Sequence, residues 1–345
     1  MARKRGDGHR LVRWLWTSRE VGARTARAVL VPASGLWHAG MSARRMAYRR
    51  GWFATHDLPL PSVSIGNLSV GGSGKTPVAG WVANHYVSLG MRPGILLRGV
   101  GGDEALVHRE SVPSAIVIPN PDRVAGAAMA VAAGADVLVL DDAFQRLDVA
   151  RDLNICLVSA ETSRAVPWRL PAGPWREGFD ALERANALII TRKRADAATA
   201  QQLASELGRR VSGPVAVARL DLAQLEGLTS GTVHAITMLN GKRVVAASAI
   251  ADPEAFVTQV KRTGAQVQVA TWKDHHQFRD EDVAWLAHAA RRADVLVITA
   301  KDAVKLRGRW PASVPEPLVA RLAVTFEAGE AELRAALDRV VGHAA

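Results

Sequence analysis

The sequence predicts an α/β protein with a mostly parallel sheet covered by helices on both faces, and three observations carry that prediction. Short apolar runs recur at 62–65, 94–97, 115–118, 137–140, 155–158 and 187–191. Helix-compatible, alanine-rich pieces such as 124–133 lie between several of them, the rhythm of strands buried on both faces. After a composition shift at 208–239 the rhythm resumes at 243–247, 266–271 and 295–299, separated by helical stretches at 253–263 and 280–290. The reading divides the chain into an arm at 1–60, a first α/β domain at 61–214, a two-stranded linker at 215–240 and a smaller C-terminal α/β domain at 241–345. Ligands in such sheets belong outside the carboxyl ends of the strands.

The arm comes first. A chain of 345 residues, 48% hydrophobic and 22% charged, has the composition of a globular protein with substantial cores. Its net charge of +11 is uneven: residues 1–60 hold 12 Lys and Arg against 3 acids, so the arm carries +9 and the other 285 residues only +2. Trp14, Trp16, Trp37, Trp52 and Phe53 are interleaved with those arginines. Basic, aromatic and aliphatic residues together describe helices lying on an anionic membrane surface, with basic helices packed on the core as the plainer alternative. The most apolar run, 28–41, is interrupted by Pro32, Ser34 and His38 and falls short of the ~20 residues that cross a bilayer. With a near-neutral body the charge argues against nucleic acid. The lone Cys156 sits in an apolar run and reads as a buried structural thiol.

The first strand then runs into Gly71-Gly72-Ser73-Gly74-Lys75-Thr76-Pro77. Small residues let successive backbone NH groups face phosphates, the following helix adds its positive end, Lys75 adds charge and Thr76 a hydroxyl for Mg²⁺. Pro77 suits a first helical turn. The strict pattern asks for glycine where the chain has Ser69, and a flexible turn before an ordinary helix is the other reading of this stretch. The partner motif is 136–142, where an apolar strand ends in Asp141-Asp142, carboxylates suited to Mg²⁺. Together they predict a P-loop NTPase-type nucleotide-binding fold. Asp103-Glu104 follows another strand of the same sheet, where Asp103 could deprotonate an acceptor hydroxyl and Glu104 could add a metal ligand, or the pair could be a surface loop.

The run Ser64-Ile65-Gly66-Asn67-Leu68-Ser69-Val70-Gly71-Gly72-Ser73-Gly74-Lys75-Thr76-Pro77 resembles the signature of the tetraacyldisaccharide 4'-kinase family, in which Ser or Thr stands at the place of Ser69. Gly102-Asp103-Glu104, Asp122-Arg123, Asp141 to Gln145, Leu170 to Glu177, Asp274-His275-His276 and Thr299 to Leu306 resemble further motifs of that family. The resemblance implies an ATP- and Mg²⁺-dependent kinase that phosphorylates the 4'-hydroxyl of a tetraacyldisaccharide 1-phosphate in lipid A synthesis. It would work at the cytoplasmic face of the bacterial inner membrane, peripheral or monotopic, with no obligate protein partner. It also implies that Asp103 is the base supported by His275, that Lys75 holds phosphate, that Arg123 and Arg176 meet phosphate or transition-state charge, and that Thr76 with Asp141, Asp142 and Glu104 serves the metal. Three departures accompany it, one being Ala246 to Asp252, which reads Ala-Ala-Ser-Ala-Ile-Ala-Asp where the family has a glycine-rich strand end. Arg98-Gly99-Val100-Gly101-Gly102 abuts Asp103 where the family has a longer segment, and Arg146 replaces a common histidine. A GTPase or ATPase switch and a catalytically silent membrane-bound homologue remain the alternatives.

Overall fold

The computed structural model describes residues 7–99, 102–163 and 167–342. Arg3, Lys4 and Arg5 of the arm, and Val100 and Gly101 of the shortened loop, lie outside the described residues. The chain divides into two compact units, one of residues 10–219 with 324–345 and the other built on 220–323.

The first unit opens with α1 (Asp7–Thr17) and α2 (Val21–Arg49). Arg27 of α2 is buried because its guanidinium donates to the carbonyls of Leu15 and Ser18, at 2.6 and 2.8 Å, satisfying acceptors that the end of α1 leaves over. Strands and helices then alternate as β1 (Ser62–Asn67), α3 (Lys75–Ser88), β2 (Pro93–Leu97), α4 (Asp103–Ser111), β3 (Ile116–Pro119), α5 (Arg123–Ala132), β4 (Val137–Asp141), β5 (Leu153–Ser159), the single turn α6 (Ala160–Ser163), β6 (Ala187–Arg192), α7 (Ala197–Gly208) and β7 (Val215–Gly227). Within this unit the strands lie in the order β7-β6-β5-β1-β4-β2-β3, all parallel. The predicted mostly parallel sheet is what forms. Its central strands β1, β2, β4 and β5 are buried along their whole length, as strands covered on both faces are. On one face Val78, Ala79, Val82, Ala83 and Tyr86 of α3 pack fully buried against Val63, Ile65, Val137 and Val139. Cys156 is buried, and burial pushes its thiol well above the ordinary range, the state of an inert core residue.

The second unit contains β8 (Val233–Ala235), β9 (Arg243–Ser248), α8 (Pro253–Arg262), β10 (Gln266–Thr271), α9 (Asp280–Arg292), β11 (Val295–Thr299) and α10 (Ala300–Leu306). Its strands β10, β9 and β11 are parallel, β11 pairs in parallel with the start of β12 (Leu318–Ala328), and β8 pairs antiparallel with the end of β7. Leu286, Leu296, Ile298, Leu306 and Val319 fill one side of this small sheet.

Two expected boundaries change. Within 215–240 the two expected strands do pair, the end of β7 antiparallel with the three-residue β8, but the chain also passes between the units along β12, far off in sequence, so the connection is not confined to 215–240. The domain expected at 241–345 ends earlier, because α11 (Glu330–Val340) belongs to the first unit. Leu333, Ala336 and Leu337 join the core around α3 and β1, the Leu337 carbonyl accepts from the Tyr86 hydroxyl at 3.0 Å, and Asp338 lies 2.8 Å from His85 Nε2. An amphipathic helix needs an apolar face to bury against, and for α11 that face is in the first unit.

Candidate active site

Three adjacent parallel strands of the first unit, β1, β4 and β2, deliver the cradle, the Asp141-Asp142 pair and Asp103 to one carboxyl edge. At the end of β1 the backbone runs close under Phe144: a Cβ on Gly66 would stand 2.5 Å from the Phe144 Cβ, so only glycine fits. Ser69 is extended, forming an antiparallel bridge with Trp175, with Val70 N donating to the Pro174 carbonyl and Arg176 N to the Leu68 carbonyl, both at 2.8 Å. An extended backbone makes no demand for glycine, which is the physical reason a serine serves here. The turn itself closes on Gly74 at φ +89, immediately before α3, and places Lys75, Thr76 and Pro77 in the first helical turn.

The cradle is braced by side chains on three sides. Asn67 Nδ2 donates to Ser73 Oγ at 2.6 Å, the Thr191 hydroxyl donates to the Ser73 carbonyl at 2.8 Å, and the Lys193 ammonium to the Gly72 carbonyl at 2.6 Å. The Lys193 segment is fixed by Glu161, which accepts from the backbone NH groups of Lys193, Arg194 and Ala195 and from the Ser159 hydroxyl. Burial acts to raise the Glu161 pKa, but those four donors outweigh it and hold the carboxyl down at about 2. Sequence reasoning passed over Asn67, Glu161, Thr191 and Lys193 as site residues, and only Asn67 lay inside a motif that could have marked it.

The two aspartates at the end of β4 have opposite surroundings. Asp141 is 2% exposed, and its Oδ2 lies 2.9 Å from Nε2 of the fully buried His108 on α4. Asp142 turns outward at φ +53 and meets cations, with Lys75 Nζ at 3.5 Å and Arg176 at 3.2 Å. Arg176 also reaches Gln145 Oε1 at 3.4 Å, and Gln145 Nε2 donates to the Asn67 carbonyl at 2.7 Å. Asp103 is buried in the first turn of α4, with the partly exposed Glu104 beside it.

Arg123 departs from the expected phosphate contact. It is 2% exposed, and its guanidinium lies 2.5 Å from the Asn120 carbonyl and 3.5 Å from the Asp141 carbonyl. Burial, then the neighbouring Arg146, hold it down at about 10. It braces the end of β4 from within. Arg146, where a histidine was expected, pairs bidentately with Asp148 at 2.9 and 2.6 Å.

The segment carrying Arg176 is gripped by α2. Ser34 Oγ donates to the Arg169 carbonyl and accepts from Ala172 N, Trp37 Nε1 donates to the Arg176 carbonyl at 3.0 Å, and Arg45 pairs with Asp180 at 2.9 Å. Part of the arm is therefore built into the site.

In the second unit, His275 sits at φ +58, a left-handed backbone that an L residue adopts only when its surroundings enforce it, with Nε2 3.8 Å from Asp274. The next residue, His276, is anchored by Nε2 at 2.9 Å from Asp282 Oδ2, whose Oδ1 accepts from Trp272 Nε1 at 3.0 Å. Burial works against the charge of Asp282, but these partners and Arg279 N together hold its pKa below the ordinary value.

Thr76, Asp141, Asp142 and Glu104 offer hard oxygen donors, and no cluster of three or more His, Cys, Asp or Glu suited to a metal occurs among the described residues. That fits Mg²⁺, which takes one or two carboxylates and completes its shell with phosphate and water.

Comparison with known proteins gives a consistent answer. The model of the family described as tetraacyldisaccharide-1-P 4'-kinase matches residues 26–102 and 100–342, the two stretches meeting at the shortened loop. A tetraacyldisaccharide 4'-kinase of Syntrophotalea carbinolica is 34% identical over 304 residues, covering 81% of this chain and 83% of its own. That of Geobacter sulfurreducens is 32% identical over 347 residues, covering 92% and 95%. A crystal structure of LpxK from Aquifex aeolicus in complex with ATP superposes with a TM-score of 0.72 at 26% identity, covering 92% of this chain and 99% of that one. With its cradle, its acidic strand end and nearly its whole length accounted for in this way, the chain belongs to the tetraacyldisaccharide-1-P 4'-kinase family.

Proposed function

We infer that this protein is an ATP-dependent kinase that phosphorylates the 4'-hydroxyl of a tetraacyldisaccharide 1-phosphate in lipid A synthesis. The observation that carries the reading is the delivery of a phosphate cradle, an acidic pair and a further carboxylate by three neighbouring strands to one edge. Phosphoryl transfer asks for little more than positioning and charge stabilisation, and these groups supply both.

In this reading the NH groups at 71–74 and the Lys75 ammonium bind the ATP phosphates. Lys75 exchanges Asp142 for phosphate as it does so. Thr76 and Asp141, with Asp142 or Glu104, would hold Mg²⁺, which supplies charge neutralisation on the phosphate oxygens. Asp103 accepts the proton of the sugar hydroxyl as that oxygen attacks the γ-phosphorus, and the bond to the ADP oxygen breaks. Arg176 answers the charge that spreads over the transferring group, while Arg123 acts through the strand it braces.

The arm places the enzyme on its lipid. Val21, Val29 and Leu36 recur at spacings of eight and seven along α2 and are 78, 74 and 77% exposed, an unpartnered apolar stripe on a basic helix. Trp52 and Phe53 follow, also exposed. No helix among the described residues is long and apolar enough to cross a membrane. The exposed stripe on a basic helix supports a peripheral or monotopic seat on an anionic membrane surface, which in this reading is the cytoplasmic leaflet of the inner membrane.

The deciding experiment incubates the protein with γ-labelled ATP, Mg²⁺ and purified disaccharide lipid. Label should appear in the lipid. Hydrolysis of ATP indifferent to lipid would overturn the kinase reading. For the arm, V29E/L36E should lose binding to vesicles containing anionic lipid; undiminished binding would remove the stripe from the argument.

A further inference from the structure

We propose that His108 is a positioning residue for the reaction, holding the carboxylate of Asp141 in the orientation its metal-binding role requires and locking that carboxylate to the helix that carries Asp103. The inference rests on the kinase reading only for the roles of those two aspartates.

The position looks wrong for a polar side chain. His108 lies on the face of α4 that also buries Ala105 and Val107, it is 0% exposed, and a leucine would fill such a place without any polar atom to satisfy. One observation explains the imidazole: Nε2 lies 2.9 Å from Asp141 Oδ2. A carboxylate only accepts, so Nε2 carries the hydrogen and donates. The other ring nitrogen, Nδ1, is buried with no hydrogen-bond partner, so the ring is there for the Asp141 contact and nothing else.

The contact also joins two parts of the site. Asp103 and Glu104 form the first turn of α4, and His108 sits five residues after Asp103 on the same helix. Fixing His108 against the end of β4 fixes the rotation and height of α4 about its axis, and with them the place of Asp103. A carboxylate ligand whose second oxygen is held by a buried donor presents a defined lone pair to a cation, and loss of such a partner costs about 10- to 100-fold in metal affinity or activity. Arg123 holds the Asp141 carbonyl from the backbone side, so side chain and main chain of Asp141 are each gripped by a buried cation or donor.

The test compares H108L, H108M and H108Q in the full-length protein. Leucine and methionine fill the space without a donor, whereas the glutamine amide can donate to Asp141. Binding of a fluorescent ATP analogue is titrated with and without Mg²⁺, alongside kcat and KM for lipid phosphorylation and thermal unfolding. H108L and H108M should require about 10- to 100-fold more Mg²⁺ for the same nucleotide affinity and lose kcat by a similar factor. Their metal-free nucleotide affinity and lipid KM should stay unchanged, and H108Q should recover most of the loss. Two results would overturn the proposal: a folded leucine or methionine variant with the wild-type Mg²⁺ requirement, or an H108Q protein as impaired as either. If neither apolar variant folds, H108Q decides alone: a near wild-type Mg²⁺ requirement supports the proposal, and a requirement raised about 10-fold or more overturns it. Nucleotide binding needs no lipid acceptor, so absence of lipid phosphorylation would fail the kinase reading while leaving the Mg²⁺ titration to judge His108.

Discussion

The two walls of the nucleotide site are built on opposite principles. One wall is buried: Asp103, His108, Arg123 and Asp141 are each at most 2% exposed and are held by neighbours within the protein. The other is open: Lys75, Asp142, Gln145 and Arg176 are partly exposed and pair with one another across 3.2–3.5 Å. Charges in the first wall were desolvated when the chain folded, so they cannot exchange partners cheaply, and they serve to fix geometry. Charges in the second keep much of their solvent, so substrate phosphate can replace one partner with another at small cost. A phosphoryl-transfer site needs both, a rigid frame for the acceptor's base and exchangeable cations for a ligand that arrives and leaves.

Removing the proposed base of the buried wall should have the largest effect. D103N is expected to lower kcat by about 100- to 10,000-fold while nucleotide affinity, measured by equilibrium binding, stays at the wild-type value. A variant within a few-fold of wild type would remove Asp103 from the chemistry and with it the distinction drawn here. The leading cation of the open wall comes next. R176A should cost about 100- to 1,000-fold in kcat, the loss associated with one preorganised donor to a developing charge. R176K should restore little, because an ammonium is a strongly hydrated point charge on a different stem and does not reproduce the delocalised guanidinium whose Nη1 meets both Asp142 and Gln145. Full rescue by lysine would mean that simple charge suffices.

Glu161 tests whether the frame beneath the cradle is as stiff as its hydrogen bonds suggest. Its folded-state pKa of about 2 lies below the ordinary 4.5, so the carboxylate contributes stability above pH 4.5 that disappears as pH falls toward 2. The shift corresponds to about 3 kcal/mol. E161Q should therefore melt well below wild type near neutral pH, and the gap should narrow on acidification. A gap independent of pH would assign the loss to packing.

How much of this was legible in the sequence follows from the reach of each interaction. The strands at 94–97, 137–140, 155–158 and 187–190 were legible because burial on both faces leaves an uninterrupted apolar run, and 62–65 because Val63 and Ile65 alternate with small serines. The cradle was legible because backbone conformation restricts residue type locally. What stayed hidden depends on long-range packing. Nothing near Glu330 announces that α11 returns to the first unit, and nothing near His108 announces that Asp141, 33 residues later, will face it. Arg123 shows the same reach: an arginine beside a phosphate motif looks like a phosphate ligand, and only the fold shows that it is 2% exposed and held by the Asn120 carbonyl. The arm was read as a membrane element, and Ser34, Trp37 and Arg45 show a second task that composition does not reveal.

The smallest expected effect is the one that separates the walls most directly. In the proposed reading Asp142 and the nucleotide phosphates would compete for Lys75 and Arg176, both of which pair with the aspartate. Each pair is partly exposed, with side-chain exposures of 15, 29 and 37% for Lys75, Arg176 and Asp142, so breaking them is worth only a fraction of a full Coulomb interaction, about 0.2–1 kcal/mol each. D142N should therefore tighten binding of nucleotide without Mg²⁺ by about two- to fivefold. The same substitution at Asp141 should bring no such gain, because its carboxylate is held by the buried His108 and the arginine beside it, Arg123, is itself buried and bonded to the Asn120 carbonyl, so it does not turn to a phosphate. Isothermal titration of both variants in chelator-treated buffer measures the contrast. Equal tightening in the two would show that general loss of negative charge governs the affinity, and the open wall would no longer be distinguished by exchange of partners.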